Sequence, residues 1–320
     1  MALIGTALIG VVAALAPVFA VILLGFVFKR RRLIADAFWQ PAERATFYIF
    51  FPSLLVISIA RAELGEANVA PMLAATLLAI LIVVAGCFGL RRVLGLDGPA
   101  FTSLIQSSVR PNVYVALAAA AALYGSAGVT LMSLCIAVIV PSVNVISVVA
   151  LVRYASTDAG PVQWRQTVVP VITNPLILAC GVGIVLNATG LRLPPLIGPT
   201  LEILARASLP VGLLAVGAGL QFQALRTTGS VVAVASALKL AVLPVLTLIL
   251  TLILGEVLGG ETLARNVAVL VASVPVAASA YVMAREMGGD PASMAGAITA
   301  TTVLAAASRP LLLAVLIAVA

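Results

Sequence analysis

Histidine is missing from this chain altogether, and cysteine occurs only three times, as Cys87, Cys135 and Cys180. Each cysteine sits inside an apolar run, with no CxxC pair beside it. A zinc centre, a haem ligand and a Ser-His-Asp triad therefore have no ordinary raw material. The cysteines are expected to be small buried hydrophobes. Charge is also scarce, at 9% of residues, and no carboxylate stands clearly within an apolar core. Paired-acid catalysis and a carboxylate proton relay lose their usual components. No Walker A or kinase-like glycine-rich phosphate loop occurs, which argues against ATP drive within the chain. An enzyme is not expected.

What fills the space is hydrocarbon. Hydrophobic residues make up 63% of the 320 residues, and mean hydropathy is +1.24. Soluble domains run near half apolar and a quarter charged, so this composition belongs to an integral membrane protein. At roughly 20 residues per span plus short connections, the length holds about ten helices. The net charge of +7 would suggest a nucleic-acid partner in a soluble protein. Here Lys and Arg fall mostly between apolar runs, where they read as topology signals, and no nucleic-acid partner is expected.

Ten segments follow, at about 4–28, 38–60, 69–90, 100–123, 128–153, 167–189, 197–220, 229–257, 262–284 and 291–320. The first has no basic leader and is too long for the core of a signal peptide, so it reads as a span. Connections after segments one, three, five, seven and nine hold Lys29, Arg30, Arg31, Arg32, Arg91, Arg92, Arg153, Arg165, Arg226 and Arg285. The opposite side holds little beyond Arg61, Arg192 and Arg265. The first set is expected in the cytoplasm, which puts both termini on the outer side of the cell (inner) membrane.

The prolines carry a repeat. Pro17 and Pro175, in segments one and six, stand 158 residues apart (175 − 17), as do Pro52 and Pro210 in segments two and seven (210 − 52). Pro111 pairs with Pro275 in segments four and nine, and Pro141 with Pro310 in five and ten. Pro244 in segment eight has no counterpart in segment three. Five segments per copy is an odd number, so the second copy enters the membrane from the other side. The expected fold is all-α: ten transmembrane helices in two inverted five-helix repeats, 1–153 and 167–320, joined by a cytoplasmic linker at 154–166. Such repeats are a transporter signature, with substrate bound where corresponding broken helices meet near the midplane.

Segments four and nine are the expected broken pair. Segment four contains Ser107-Ser108-Val109-Arg110-Pro111-Asn112-Val113-Tyr114. Proline removes a helix donor and clashes with the preceding turn. Opened backbone at membrane depth is tolerated only against protein or a polar cavity. Half-helix N-termini there would favour an anion. Asn112 is placed to contact substrate or to recap the break. Arg110 is placed to pair an anion, or else to bind freed carbonyls or a structural partner. Tyr114 is a lining candidate with an amphipathic ring. Pro275 marks the second break, with the hydroxyls of Ser273 and Ser279 beside it, and Arg309 could face it. Lys239 lies about ten residues into segment eight, either snorkelling or compensating charge. Glu202 and Arg206, spaced i,i+4, read as a structural pair.

Arg110-Pro111-Asn112-Val113-Tyr114 followed by Ala122-Leu123-Tyr124-Gly125 resembles the fourth-helix pattern of the auxin efflux carrier family, which includes plant PIN carriers and bacterial organic-acid permeases. Asn174-Pro175-Leu176-Ile177 with Leu186-Asn187 resembles its sixth helix, and Ser208-Leu209-Pro210 through Leu220 its seventh. Lys239-Leu240 with Pro244 resembles the eighth, and Val274-Pro275 the ninth. Three features depart from the family: Pro111 stands between Arg110 and Asn112 where bacterial members often have Arg-Asn-Thr-Gly, the long central loop of plant members is absent, and the Ala-rich stretch 116–122 lacks the second helix-four proline seen in many members.

The resemblance implies an NhaA-type or bile-acid-symporter-type fold with a scaffold of helices one, two, six and seven. Helices three to five and eight to ten would form a transport domain that moves as an elevator, and the scaffold would mediate a homodimer. It also implies that Asn144, three residues after Pro141, corresponds to a fifth-helix Asn that either meets substrate or bonds between helices. The expected activity is secondary transport of a small organic anion, such as a mono- or dicarboxylate or an auxin-like acid. No cofactor or metal is expected; coupling to Na+ or H+ is open. The alternatives are a sodium-coupled organic-anion symporter of the bile-acid type and a ligand-binding membrane sensor.

Overall fold

The computed structural model describes residues 2–62, 68–155, 169, 173–191, 193–226 and 229–319. These form helices and their connections, with no β-strand among them beyond one isolated bridge. Thirteen α-helices are present among the described residues. They are α1 (Ala2–Arg30), α2 (Asp36–Ala45), α3 (Phe51–Ala60), α4 (Ala70–Val93), α5 (Gly98–Val109), α6 (Val113–Tyr154) and α7 (Pro175–Thr189). They continue as α8 (Ile197–Ala218), α9 (Gly229–Ala237), α10 (Leu243–Leu258), α11 (Thr262–Ser273), α12 (Ser279–Glu286) and α13 (Pro291–Val319). Among the described residues, six stretches are long and apolar enough to cross a membrane: Leu8–Arg30, Asp36–Ala60, Ala70–Val93, Val113–Tyr154, Ile197–Ala218 and Gly229–Leu258. The chain is a multi-pass, all-helical membrane protein, in line with its composition. Past Ala155, the expected linker at 154–166 lies outside the described residues.

Local sequence explains where helices bend. Thr46–Phe50 and Leu238–Val242 are single π-turns that join α2 to α3 and α9 to α10. Each is followed within two residues by a proline, Pro52 or Pro244, at the start of the next helix. Proline cannot donate its i→i−4 bond, and a wider turn lets the helix continue past the missing donor. At 1.5 Å per residue, the 42 residues from Val113 to Tyr154 would reach about 63 Å as one helix, twice the hydrocarbon thickness. They do not run straight. Gly125 adopts φ 59° and ψ −146°. A Cβ on Gly128 would lie 2.8 Å from the carbonyl oxygen of Ala120, eight residues earlier, so the chain turns back on itself there. This break falls at the Tyr124-Gly125-Ser126 boundary expected between segments four and five.

Two sets of helix contacts organise the rest. α1 packs on α8, and α3 packs on α7 and α8. The α1–α8 contact is glycine-mediated: a Cβ on Gly217 would lie 1.8 Å from the Ile22 carbonyl oxygen, and one on Gly25 would lie 2.1 Å from that of Leu214. Only hydrogen side chains allow this backbone approach. Asn187 of α7 donates from Nδ2 to the carbonyls of Ala60 (3.3 Å) and Ala62 (2.7 Å), capping the end of α3. Arg61 and Glu202 tie the same end to α8 with an ion pair. In the second set α4 packs on α10, α11 on α4, α6 and α10, and α5 on α6 and α9. α13 joins that set through α9, α5 and α12, while α1, α3, α7 and α8 touch it through α6 and α13. All three cysteines are free and buried, as their apolar surroundings predicted.

Candidate functional site

α5 ends at Val109, and Arg110 (φ −74°, ψ 114°), Pro111 and Asn112 (φ −77°, ψ 101°) run extended before α6 begins. α11 ends at Ser273, and Val274 (φ −66°, ψ 152°) and Pro275 do the same before α12. The two breaks pair with each other as an antiparallel bridge between Pro111 and Val276. Asn112 N–H donates to the Pro275 carbonyl (2.9 Å), and Ala277 N–H donates to that of Arg110 (3.3 Å). Val276 N–H donates to Thr301 Oγ1 (3.1 Å) on α13. Backbone groups freed by one proline are thus satisfied by the other break, as burial away from water demands.

Asn112 is only 2% exposed. Its Oδ1 accepts from the N–H groups of Tyr114 (3.1 Å) and Val115 (3.3 Å), so it is the N-cap of α6. Its Nδ2 is buried without a partner among the described residues. The recapping role and an unspent donor therefore coexist on one side chain. Tyr114 is buried and stacks on Phe51 of α3, with ring centroids 4.6 Å apart at 14°. Gly212 of α8 lies under this pair, where a Cβ would sit 3.0 Å from the Phe51 ring and 3.3 Å from that of Tyr114.

Arg110 extends into a cavity of about 460 Å³ lined also by Pro111, Asn144, Asn174, Ser279 and Tyr48. Its Nη2 donates to Ser279 Oγ (3.3 Å) at the start of α12, and its Nη1 to Met283 Sδ (3.5 Å). Its Nε has no partner among the described residues. Asn144 is half-buried on the cavity wall. Asn174 contributes while its Oδ1 caps α7 by accepting from Leu176 N–H (2.9 Å).

Behind the second break stand two more cations. Lys239, on the π-turn between α9 and α10, donates to the Ala272 carbonyl (3.1 Å). Arg309 of α13 donates from Nε to the Ser273 carbonyl (3.4 Å), and its guanidinium lies 5.7 Å from the Phe19 ring of α1. Both side chains are fully buried, and both Nη atoms of Arg309 lack partners among the described residues. They sit against the last carbonyls of α11, where a helix leaves acceptors unpaired and carries its negative dipole end. Ser273 turns its hydroxyl onto its own helix, donating to Leu270 (2.9 Å). Among the described residues the one ion pair is Arg61–Glu202 at the periphery, so Arg110, Lys239 and Arg309 stand without a carboxylate partner.

Of the residues singled out from sequence, the crossing brings together Arg110, Pro111, Asn112 and Pro275, with Ser279 beside them. Arg110, Pro111, Asn144 and Ser279 line the cavity. Lys239, Ser273 and Arg309 meet at the end of α11, and Tyr114 packs toward α3. Asn174 and Thr301 were not singled out for the site. Asn174 had a legible sign, an Asn directly before a helix-starting Pro, which reads as an N-cap. Thr301 had none, since its role is set by which face of α13 meets the break.

No curated protein matches the chain. A family model described as membrane transport protein matches residues 161–313, a span holding Asn174, Lys239, Pro275 and Arg309, while Arg110, Asn112 and Asn144 precede it. Residues 161–313 thus match the domain of the auxin efflux carrier (PIN) family, a family of membrane transporters.

Proposed function

We propose that this protein is a secondary carrier of a small organic anion, a mono- or dicarboxylate or an auxin-like acid, bound beside the crossing of its two broken helices. The observation that carries this reading is Arg110: a cation with no carboxylate partner among the described residues, reaching into a cavity of about 460 Å³ at the crossing. A buried guanidinium is costly unless something compensates it, and a carboxylate ligand would do so bidentately. Asn144 supplies amide donors on the cavity wall, and Asn112, between the lining residues Pro111 and Val113, holds an Nδ2 without a partner among the described residues. The apolar lining, with Val140, Val143 and Leu176, suits the carbon frame of an organic acid.

The reading includes two inverted five-helix repeats with an elevator motion. Contacts exchange symmetrically between the halves: the first segment (α1) packs on the seventh (α8), and the second (α3) on the sixth (α7). In this reading α1 to α3, α7 and α8 are the scaffold, and α4 to α6 with α9 to α13 move against them. The scaffold also forms the homodimer interface. With the basic connections in the cytoplasm and the termini outside, the cavity, lined by residues 140–148, 173–176 and 277–283, opens inward.

For coupling, the reading is transport without a co-transported cation. Lys239 and Arg309 already donate to the carbonyls of Ala272 and Ser273, the oxygens that a sodium ion at the second break would need. The test is uptake of a labelled carboxylate panel into proteoliposomes by the wild type, Asn112→Ala and Asn144→Ala. Saturable uptake of at least one carboxylate, with raised KM in Asn144→Ala, is expected. No uptake of any organic anion under any imposed gradient would refute the function.

A further inference from the structure

A second cationic cavity lies away from the crossing, at the end of α4. It measures about 530 Å³ and is lined by Phe88, Gly89, Arg91, Arg92, Gly95 and Tyr154, with Leu96. Arg91 lies against a pair of rings, with its guanidinium carbon 4.9 Å from the centroids of both Phe101 and Tyr154. Those rings meet each other edge to face at 5.2 Å, and Phe88 meets Phe101 at 5.1 Å. Arg91 Nε also donates to the Leu96 carbonyl (3.5 Å). One guanidinium is thus oriented by an aromatic wall while its terminal nitrogens have no hydrogen-bond partner among the described residues. Arg92 follows directly and is exposed.

Neither arginine has a carboxylate partner among the described residues. Asp97, the nearest acid in the sequence, accepts the Ala100 N–H (2.9 Å) with Oδ1 as the N-cap of α5. Both arginines occupy the last turn of a span, the level at which hydrocarbon gives way to water. Phe88, one turn deeper, is 44% exposed, and Val93 is 80% exposed. Gly89 adjoins open space: outside its own stretch of helix, no atom of the described residues lies within 4 Å of where its Cβ would be.

We propose that this cavity is a binding site for an anionic glycerophospholipid, with its phosphate on Arg91 and Arg92 and its glycerol and upper acyl chain in the groove over Gly89 beside Phe88. Basic pockets between helices at the cytoplasmic surface suit such headgroups. A free phosphate would engage the arginines but gain nothing from Phe88 and the groove.

The test is native mass spectrometry of the purified full chain exchanged with phosphatidylglycerol or phosphatidylcholine, on wild type, Arg92→Gln and Gly89→Leu. Arg92 is exposed and Gly89 faces open space, so both variants should fold. The wild type should retain phosphatidylglycerol preferentially. Each variant should lose about fivefold of that preference, by charge in one and by filling the groove in the other. Glycerol phosphate at the lipid's concentration should not compete. Equal retention of the two lipids, unchanged preference in both variants, or full competition by glycerol phosphate would each overturn the assignment.

Discussion

The backbone N–H of Asn112 donates to the carbonyl of Pro275 across 2.9 Å, although one residue lies in each half of the chain. The bond explains why two prolines can sit inside apolar segments. Each opens a helix, and the groups so freed are satisfied mainly by the other opening.

Thr301 extends that arrangement by accepting the Val276 N–H. Thr301→Val keeps the shape and leaves that donor orphaned in the interior. The expected cost is about 1–3 kcal/mol, read as a lowered midpoint in thermal unfolding at fixed detergent. An unchanged midpoint would mean that Val276 finds another acceptor.

Asn112 separates capping from charge. Asn112→Ala removes the cap of α6 and should cost about 1 kcal/mol of stability. Asn112→Asp keeps an acceptor on the same N–H groups and should hold stability close to wild type. It also sets a negative charge two residues from Arg110, so anion uptake should fall well below that of the wild type. Equal uptake by the Asp variant and the wild type would contradict an anionic cargo.

Gly217 and Gly86 lie on different helices and should respond oppositely to the same change. Gly217→Ala drives a methyl into the Ile22 carbonyl and should destabilise by at least about 1–3 kcal/mol. Gly86→Ala meets nothing within 4 Å and should be neutral or slightly stabilising, as Ala is the better helix former. Thermal unfolding of the two variants side by side checks the pair.

The prolines make the crossing legible in the sequence, because a missing backbone donor has a local consequence that sequence can display. Pro111 and Pro275 therefore marked both breaks, and Tyr124-Gly125-Ser126 marked the reversal within α6. Side-chain destinations were less legible. Tyr114 reads as a lining residue, yet its ring stacks on Phe51, a partner 63 residues earlier (114 − 51) that no local pattern announces. Ser273 and Ser279 flank the same break, and only geometry separates the hydroxyl that faces Arg110 from the one that faces its own helix. Arg309 stood out through Pro310, whereas Thr301 and Gly25 depend on which helix faces pack, information carried by the tertiary fold.

Coupling gives a further test. With Lys239 and Arg309 donating to the end of α11, uptake should change less than about twofold when sodium is replaced by potassium or choline; a twofold change corresponds to about 0.4 kcal/mol. A steep sodium dependence, measured as initial uptake rate against external sodium in proteoliposomes, would favour a symporter instead.

The most direct measurement concerns Arg110. Equilibrium binding of a transported carboxylate and of its neutral amide to the purified protein should be compared between wild type and Arg110→Gln. The wild type should prefer the carboxylate, and Arg110→Gln should lose at least about tenfold of that preference, the size of one charge-assisted hydrogen bond, with its unfolding midpoint retained. Undiminished preference for the carboxylate in Arg110→Gln would contradict an anion site at the crossing of the two broken helices.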